Sequence, residues 1–600
     1  DQQVYDIIGV ANLDYLQLYR KFTYSNQESY ALNHIAFVEL GQKKNENPYE
    51  TFQDWYTKDY QSFLEYNIVD VELVDRLEDK MKLLELCLTM AYEAKVNYED
   101  VFGQVKYWDV LIHNYLKEKK VVIPQKSHQS KSDKYEGAYV KDPQVGQHKW
   151  VMSFDLNSLY PHLIMQYNMS PETLVTGNYL KLPEDKTYVN EMLGEIKLDI
   201  PDHTTITPNG ALYRKDKLGF LPQMMQEIYD DRTIYKKKML KAKQDYEDTK
   251  DPQYLKYISR YNNIQMARKI SLNSAYGAIG NQYFRYYDLA IAEGITTAGQ
   301  LSIRWIEKKI NQYLNKLLKT NKDYVIASDT DSIYVTFDKL VEQVNPKNPI
   351  DFLDTIAKEK IEPFIDKSYK QLADYTHAYD QKMQMKREVI ADKGIWTAKK
   401  RYILNAWDVE GVRYQEPQLK IMGIEAVKSS TPAPCRQKIK EALKIIMSGS
   451  EKELNDFLIA FRREFESLPP EEIAYPRSVN GVRKFYSDSS IYKKGTPMHI
   501  KGSLVYNHMI KERKLTRKYG LIQNGDKIKY LELRQPNPLG CNVISFPSQL
   551  PKELDILKYV DYDVSYMKSF IDPLSFITNN IGWKIDRSFG TQTTLEDFFN

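Results

Sequence analysis

The stretch Tyr324-Val-Ile-Ala-Ser-Asp-Thr-Asp-Ser-Ile-Tyr-Val335 decides the fold that we expect for this chain. Two short β-branched and aromatic runs flank a polar turn, which predicts a β-hairpin with Asp329 and Asp331 at its tip. Residues two apart in extended backbone leave on the same side, so the two carboxylates are expected to lie close together. They repel each other unless a cation lies between them, and oxygen ligands on a tight turn suit Mg²⁺ bound jointly with phosphates. An ordinary acidic surface turn is the alternative interpretation of this stretch taken alone.

A third carboxylate is predicted at the end of a strand. Trp150-Val-Met-Ser-Phe-Asp155 reads as a strand whose large apolar residues share one face, with Asp155 on the other. The following Leu156-Asn-Ser-Leu-Tyr-Pro161 leads into an amphipathic helix, with Asn157 or Ser158 as its N-cap. The free N–H groups of a helix N-terminus favour a phosphate, so a carboxylate and a phosphate site are predicted side by side.

A cationic helix face is the third feature. Lys269-Ile-Ser-Leu-Asn-Ser-Ala-Tyr-Gly277 places Lys269, Asn273 and Tyr276 at positions i, i+4 and i+7, on one face of a helix. A cation, an amide and an aromatic ring on one face can hold a triphosphate and stack under a base.

These three stretches, DLNSLYP, KISLNSAYG and SDTDS in that order, resemble the polymerase motifs of family B DNA polymerases. Lys399-Lys-Arg-Tyr402 resembles the fourth signature of that family, and the segments 396–402 and 420–425 are similar to its T-even-type bacteriophage branch. The resemblance covers essentially the whole chain. It implies a multidomain α+β fold, a right-hand polymerase of palm, fingers and thumb with a partial RNase H-like 3′–5′ exonuclease domain at the N-terminus.

The resemblance also implies a domain order along the chain. That order is an exonuclease remnant over 1–83, a bridging segment over 84–126, palm over 127–219, fingers over 220–281, palm again over 282–423, thumb over 424–590 and a clamp-binding tail over 591–600. Local patterns agree with it. Asp251-Pro252 breaks a long helical pattern and predicts a helical hairpin with its tip near 249–253. The polar run 124–148 predicts a surface loop, and 178–217 predicts short strands.

The implied activity is DNA-directed DNA synthesis, the addition of deoxynucleotides to a primer 3′ end, in phage genome replication. Asp155 and Asp331 are the catalytic carboxylates; together with Leu156 they would bind two Mg²⁺ ions, for which Mn²⁺ can substitute. Asp329 shapes the charge of the site, and Glu388 falls where the family carries a further palm carboxylate.

The incoming nucleotide is expected to contact one set of residues from the palm and the fingers. Tyr160 resembles the steric gate that leaves no room for a 2′-hydroxyl, while Tyr276 and Gly277 would pack against the nascent base pair. The full predicted set is Leu156, Asn157, Ser158, Leu159, Tyr160, Arg232, Lys236, Lys269, Asn273, Tyr276 and Gly277.

Primer–template DNA is expected to bind the basic signature Lys399, Lys400, Arg401 and Tyr402 and the basic loops of the thumb. Two positions depart from the usual wording of the family. His162 stands where Ser usually follows Tyr-Pro, and Ala327-Ser328 replaces Tyr-Gly before the aspartates. Neither change removes a carboxylate.

Near the N-terminus, Tyr66 and Asp70 resemble the third exonuclease motif of proofreading polymerases and share a helix face. An exposed Tyr/Asp pair is the alternative interpretation. The first two exonuclease motifs have no match in this sequence. We therefore expect no proofreading by this chain alone, either because it is one product of a split polymerase, with a separate exonuclease-containing polypeptide as partner, or because it is a fragment.

The last nine residues, Gln592-Thr-Thr-Leu-Glu-Asp-Phe-Phe-Asn600, resemble a sliding-clamp-binding peptide. Gln592, Leu595, Phe598 and Phe599 would form its contacts in a single helical turn. Docking of the two phenylalanines onto the thumb is the alternative.

The composition, 28% charged and 42% hydrophobic with a net charge of +3, is that of an ordinary globular protein, and 600 residues predict several domains. No run of 18 apolar residues occurs, so no membrane span and a cytoplasmic location are expected, the host cytoplasm for a phage protein. Cys87, Cys435 and Cys541 lie far apart and predict neither a disulfide nor a metal site.

Two other functions compete with DNA synthesis. One is a non-catalytic replisome subunit that binds primer–template and clamp, which would not need paired metal carboxylates. The other is an RNA-synthesising or reverse-transcribing polymerase. Tyr160 disfavours ribonucleotides.

Overall fold

The computed structural model describes residues 7–23, 26–45, 47–49, 51–126, 135–175 and 188–586. Its α-helices are α1 Tyr15–Phe22, α2 Leu32–Leu40, α3 Phe52–Lys58, α4 Tyr60–Met81, α5 Leu83–Ala94, α6 Gln104–Glu118, α7 Leu159–Gln166, α8 Val189–Leu193, α9 Phe220–Thr249, α10 Gln253–Ile279, α11 Leu289–Leu318, α12 Asp338–Val344, α13 Pro349–Ile356, α14 Glu362–Tyr375, α15 Ala433–Ser448, α16 Glu451–Glu466, α17 Pro470–Ile473, α18 Val482–Phe485, α19 Met498–Glu512, α20 Tyr562–Tyr566 and α21 Asp572–Thr578. Its strands are β1 Gly146–Leu156, β2 Thr204–Ile206, β3 Leu212–Arg214, β4 Val325–Asp329, β5 Ser332–Thr336, β6 Met385–Ala398, β7 Arg401–Val409, β8 Val412–Met422, β9 Tyr475–Ser478, β10 Tyr486–Ser487, β11 Ile491–Tyr492, β12 Lys527–Glu532 and β13 Val543–Phe546. The fold is α+β and multidomain, as predicted.

A six-stranded antiparallel sheet in the order β4-β5-β1-β6-β7-β8 carries the acidic motifs. The strand predicted to end at Asp155 is β1, which lies inside the sheet between β5 and β6. Met152 and Phe154 face the main hydrophobic core, while Val151 faces a smaller cluster on the opposite side. Both faces of the sheet are therefore covered, which is why β1 buries consecutive residues.

The predicted hairpin is present, but its tip differs in detail from the prediction. β4 ends at Asp329 and β5 begins at Ser332, so Thr330 and Asp331 form the turn. Thr330 has a φ of +57°, in the left-handed region. The prediction that extended backbone relates the two aspartates is therefore wrong in this detail. A tight turn separates them, because a two-residue hairpin loop requires a left-handed dihedral.

From residue 135 onward, the segment before β1 is not the free surface loop that the polar run 124–148 predicted. β1 already begins at Gly146, and the described residues from 135 onward run along the edge of β4. The Lys141 N–H donates to the Ser328 carbonyl at 3.3 Å, and the Gln144 N–H donates to the Ile326 carbonyl at 2.8 Å. A polar sequence can cover a sheet edge because the contact uses backbone groups.

The other local patterns hold in the structure. α9 and α10 form the predicted helical hairpin, with residues 250–252 between them. The strands expected over 178–217 are β2 and β3, joined through the turn at Pro208-Asn-Gly210, and a short helix, α8, precedes them. α5 and α6 account for the helical pattern of 84–126.

Two large cores hold most of the buried hydrophobic residues, besides the smaller cluster on the opposite face of the sheet. One joins the N-terminal helices, α5 and α6, the base of the α9–α10 hairpin and one face of the sheet. The other lies beyond β6 and holds α15, α16, α19 and the three-stranded sheet β13-β12-β9. None of the helices in the described part of the chain is both long and apolar enough to cross a membrane.

Candidate active site

Asp155 and Asp331 lie on neighbouring antiparallel strands. In the β1–β5 register Asp155 stands opposite Ser332, the residue after Asp331. The Leu156 N–H donates to the Asp331 carbonyl at 2.8 Å, which joins the end of β1 to the hairpin turn. The sheet thereby brings together two carboxylates that are 176 positions apart in sequence.

The electrostatics of the pair favour a bound cation. Burial, and then the charges of Asp331 and Glu388, raise the pKa of Asp155 to about 7. Burial, together with the charges of Asp329 and Glu388, raises the pKa of Asp331 to about 6. Carboxyls that resist ionisation because they are desolvated and face one another regain their charge when a metal ion neutralises them.

Glu388 supports this pair from β6. Its Oε1 accepts from Lys420 Nζ at 2.7 Å, and its Oε2 accepts from Ser153 Oγ at 3.2 Å. Within the described ranges, no three Asp, Glu, His or Cys side chains are arranged as a ready-made metal cage. Two carboxylates leave the remaining coordination positions to backbone, water and substrate oxygens, which is how Mg²⁺ is held beside phosphates.

The basic signature between β6 and β7 is occupied by protein partners. Lys400 Nζ lies 3.3 Å from Asp329 Oδ1, and Lys399 Nζ lies 3.1 Å from Asp142. Arg401 forms a two-pronged pair with Glu425, at 3.0 and 2.8 Å. Lys399 and Lys400 remain half-exposed, whereas the Arg401 side chain is 24% exposed.

Tyr402 is placed differently from our expectation of a DNA contact. Its side chain is buried, and its hydroxyl lies 2.6 Å from the Tyr334 hydroxyl. Its ring stacks on Trp396 at 5.4 Å. In this structure Tyr402 braces the Asp331 hairpin from within the sheet, because β7 turns its ring inward against β5.

The turn that we predicted to bind a phosphate lies at the start of α7. Ser158 is the N-cap, with φ +45° and no side-chain capping bond. The first N–H groups of α7 therefore have no intrahelical partner. Tyr160, the second residue of the helix, contacts Tyr276 of α10 with ring centroids 4.6 Å apart. The predicted gate and the predicted base-pair platform thus meet between α7 and α10.

The α9–α10 hairpin supplies the predicted cations. Lys269, Asn273, Tyr276 and Gly277 lie on one continuous helix, α10, with Asn273 and Gly277 exposed. A Cβ at Gly277 would come within 2.5 Å of Gln104 Oε1, so α6 packs too closely for a larger residue without movement of that side chain.

On α9, Lys236 is exposed and Arg232 is partly buried. The Arg232 Nε is buried and makes no hydrogen bond within the described part of the chain. Burial lowers the pKa of this guanidinium. A buried donor without an acceptor is costly, so this geometry favours an anionic ligand.

Comparison with known proteins identifies the family of this chain. The model of the family described as DNA polymerase family B matches residues 102–581. The chain belongs to that family. It is 36% identical to the DNA-directed DNA polymerase of Escherichia phage RB69 over 663 aligned positions. The alignment covers 100% of this chain and 71% of that protein. It is 34% identical to the DNA-directed DNA polymerase of Enterobacteria phage T4, over 97% of this chain and 70% of that protein. A DNA polymerase of Paramecium bursaria Chlorella virus NY2A is 28% identical over 74% of this chain and 45% of that protein. Family B DNA polymerases generally need divalent metal ions.

The family B chain places Tyr66 and Asp70 together on α4, as predicted, but a cation already lies between them. Lys44 Nζ is 2.7 Å from Asp70 Oδ2 and 4.6 Å from the centre of the Tyr66 ring. The ion pair raises the pKa of Lys44 against the opposing effect of its burial. The ammonium thus neutralises Asp70 through Oδ2, whereas the buried Asp70 Oδ1 makes no hydrogen bond within the described residues.

Several contacts of the site were not predicted from sequence. Glu410, Lys382 and Lys44 carry no motif, and Lys420 begins the segment 420–425 without a predicted role; their partners lie on other elements. The predicted clamp-binding residues Gln592, Leu595, Phe598 and Phe599 lie outside the described residues.

Proposed function

We propose that the chain extends the 3′ end of a DNA primer along a template, with Asp155 and Asp331 as the catalytic carboxylates. The observation that carries this proposal is the junction of β1 with the hairpin turn, where two desolvated carboxyls face the same space. The family membership and the two phage relatives, each a DNA-directed DNA polymerase by name, support it. The same names support a role in phage genome replication, and we propose the host cytoplasm as its location.

Two Mg²⁺ ions fit this pair of carboxylates, with the Leu156 backbone as a further ligand. Bound there, they would activate the primer hydroxyl and neutralise the leaving pyrophosphate, and Mn²⁺ can substitute. The protein contributes fixed geometry. β1 and β5 hold the carboxylates, Lys420 holds Glu388, and Lys400 neutralises Asp329, which leaves Asp329 a charge-shaping role.

The incoming triphosphate would lie between the start of α7 and the α9–α10 hairpin. Of the predicted backbone set Leu156 to Leu159, the N–H groups of Ser158 and Leu159 would meet the phosphates, because those of Leu156 and Asn157 already donate to the Asp331 and Gln384 carbonyls. Arg232, Lys236, Lys269 and Asn273 offer the cations and the amide. Such fixed donors accelerate phosphoryl transfer by positioning the substrate and offsetting its charge.

The Tyr160–Tyr276 contact would form the floor under the nascent pair, and Gly277 lets Gln104 of α6 approach α10 beside it. Lys399 and Lys400 would bind the primer and template phosphates once DNA competes with Asp142 and Asp329 for them.

The test is a primer-extension gel with Mg²⁺, a 5′-labelled primer on a longer template, and the chain with and without deoxynucleotides. We expect extension with nucleotides, none with Asp331→Asn, and an intact primer without nucleotides. Tight primer–template binding with no extension by the wild-type chain would instead support the non-catalytic replisome subunit.

We propose no proofreading by this chain alone, since Lys44 neutralises Asp70. Shortening of the primer in the lane without nucleotides would contradict this.

A separate exonuclease-containing polypeptide is the partner that we propose for α4. This helix is apolar on two opposite faces. Leu73 and Leu77 are buried on one, whereas the other exposes Tyr60, Leu64, Ile68 and Val71 by 53%, 37%, 56% and 65%. A stripe of this kind marks an interaction site. A polypeptide carrying the first two exonuclease motifs should co-elute with this chain in gel filtration, and Ile68→Glu should separate the two.

We also propose a sliding clamp as a partner. It would bind the C-terminal residues Gln592, Leu595, Phe598 and Phe599. The support is the sequence pattern of a short helical plug. A chain ending at Gly590 should extend primers as well as the full chain without clamp and lose the gain in processivity when clamp is added. Equal processivity of both chains with clamp would reject this contact.

A further inference from the structure

The residue that departs from the family wording, His162, is buried at the junction of three elements. It lies on α7, one turn after Ser158, and only 5% of its surface is exposed. Its ring contacts Tyr229 of α9 edge to face, with centroids 4.6 Å apart and planes at 85°. The charged groups that face it are Arg232 of α9 and Lys382 from the segment between α14 and β6.

The imidazole is fixed on the palm side by one hydrogen bond. His162 Nδ1 lies 3.0 Å from the Ser158 carbonyl oxygen, which also accepts the His162 N–H at 3.2 Å. A carbonyl can only accept, so Nδ1 carries the hydrogen and the neutral ring is the tautomer with a bare Nε2. Burial lowers the pKa of His162, the hydrogen bond to Ser158 opposes that effect, and the charges of Lys382 and Arg232 lower the pKa further.

This bond acts on the turn that presents the phosphate donors. Ser158 has a left-handed φ of +45°, and its side chain makes no capping hydrogen bond that would hold this backbone in place. A non-glycine residue in that region is strained and persists only where neighbours hold it. A second donor on its carbonyl is such a restraint, and the N–H groups of Leu159 and Tyr160 follow directly in the chain.

The same ring acts on the fingers side through Tyr229. Arg232 follows Tyr229 by three residues on α9, so the two side chains share a helix face. An edge-to-face ring contact fixes the rotation of that face relative to α7. One imidazole therefore contacts both α7 and α9, the two helices that carry the first-turn N–H groups and Arg232.

We propose that His162 is a positioning residue for the incoming nucleotide, which aligns the first-turn N–H groups of α7 with the Arg232 guanidinium. This inference rests on the proposed nucleotide site. It predicts that the residue acts on nucleotide binding and leaves primer–template binding unchanged.

The experiment compares His162→Asn with His162→Leu in the full chain. Asparagine keeps an N–H donor near the place of Nδ1, whereas leucine keeps volume without a donor. We expect the leucine variant to raise KM for deoxynucleotide roughly 5- to 20-fold, the range for loss of one hydrogen bond, with kcat within about threefold. We expect asparagine to restore KM to within about threefold of wild type.

Two controls separate this role from simple packing. The Kd for primer–template and the melting temperature should be alike in the two variants. Unchanged KM in His162→Leu, or an equal rise in both variants, overturns the proposal. If the leucine variant does not fold, Tyr229→Leu tests the fingers contact, and an unchanged KM there overturns it as well. Absence of extension by the wild-type chain would instead reject the proposed function, so the two failures are distinguishable.

Discussion

Lys400 Nζ lies 3.3 Å from Asp329 Oδ1, so the basic turn between β6 and β7 is tied to the tip of the acidic hairpin. This pair gives the two aspartates of the hairpin different surroundings. Asp329 has its own counter-cation, whereas Asp331 shares a desolvated space with Asp155 and Glu388.

This asymmetry predicts unequal effects of removing each charge. Asp331→Asn and Asp155→Asn should each lower kcat on the order of 10³-fold or more, because a metal ligand that stabilises transition-state charge is lost. Asp329→Asn should cost about tenfold, near 1.4 kcal/mol in the barrier. Single-turnover extension rates measure all three. Equal losses for Asp329→Asn and Asp331→Asn would mean that Lys400 does not separate their roles.

The raised carboxyl pKa values predict how the metal-free chain responds to pH. The folded chain holds protons on Asp155 up to about pH 7 and on Asp331 up to about pH 6, whereas the unfolded chain releases them near pH 4. The folded state therefore binds more protons across that window, and the free energy of unfolding falls as pH rises through it.

Thermal unfolding with a chelator should show this fall from pH 5 to pH 8, and Mg²⁺ should offset it at the upper end. Asp155→Asn is the matched variant, since it removes the larger of the two shifts. A melting temperature whose pH dependence is the same in that variant would contradict the prediction.

Tyr160 predicts sugar selectivity. Its ring is held against Tyr276 at 4.6 Å, so it cannot turn away from the space beside the primer end without losing that contact. Tyr160→Ala should lower the preference for deoxynucleotides over ribonucleotides by roughly 10–200-fold, the scale of a single steric contact. The ratio of kcat/KM values for the two substrates measures it. An unchanged ratio would end the gate assignment.

The buried Tyr334–Tyr402 pair predicts a supporting role for the last residue of the basic signature. Either Tyr→Phe change leaves one buried hydroxyl without its partner, at a cost of roughly 1–3 kcal/mol in unfolding free energy. The double Phe variant removes both hydroxyls and should recover part of that loss. Chemical denaturation of the three variants gives the coupling energy. A Tyr402→Phe chain with normal stability but weakened primer binding would favour a direct DNA contact.

The Lys44–Asp70 pair predicts that Asp70 contributes to stability. Asp70→Asn should lower the unfolding free energy by roughly 1–3 kcal/mol, because Lys44 is left without its charged partner. Asp75→Asn is the control, an exposed carboxylate on the same helix. Primer degradation should be absent from all three proteins. Loss of a measurable nuclease activity in Asp70→Asn would show that the pair serves catalysis.

The sequence by itself determined the elements whose residues interact locally. Strand alternation and a turn defined the β4–β5 hairpin, and helical periodicity broken at Asp251-Pro252 defined α9 and α10. The order of the motifs then determined the family. The motifs that contain Asp155, Lys269 and Asp331 can be read from the sequence without knowledge of the fold.

Only the tertiary structure decided which charges are neutralised and which are left for a ligand. Lys44 meets Asp70 across a loop, and Lys400 meets Asp329 between strands that are not neighbours in the sheet. Tyr402 follows three basic residues in the sequence, but its side chain is buried because β7 packs it into the cluster that also contains Tyr334 and Trp396. These outcomes depend on distance and desolvation between remote segments, and no short sequence pattern encodes either quantity.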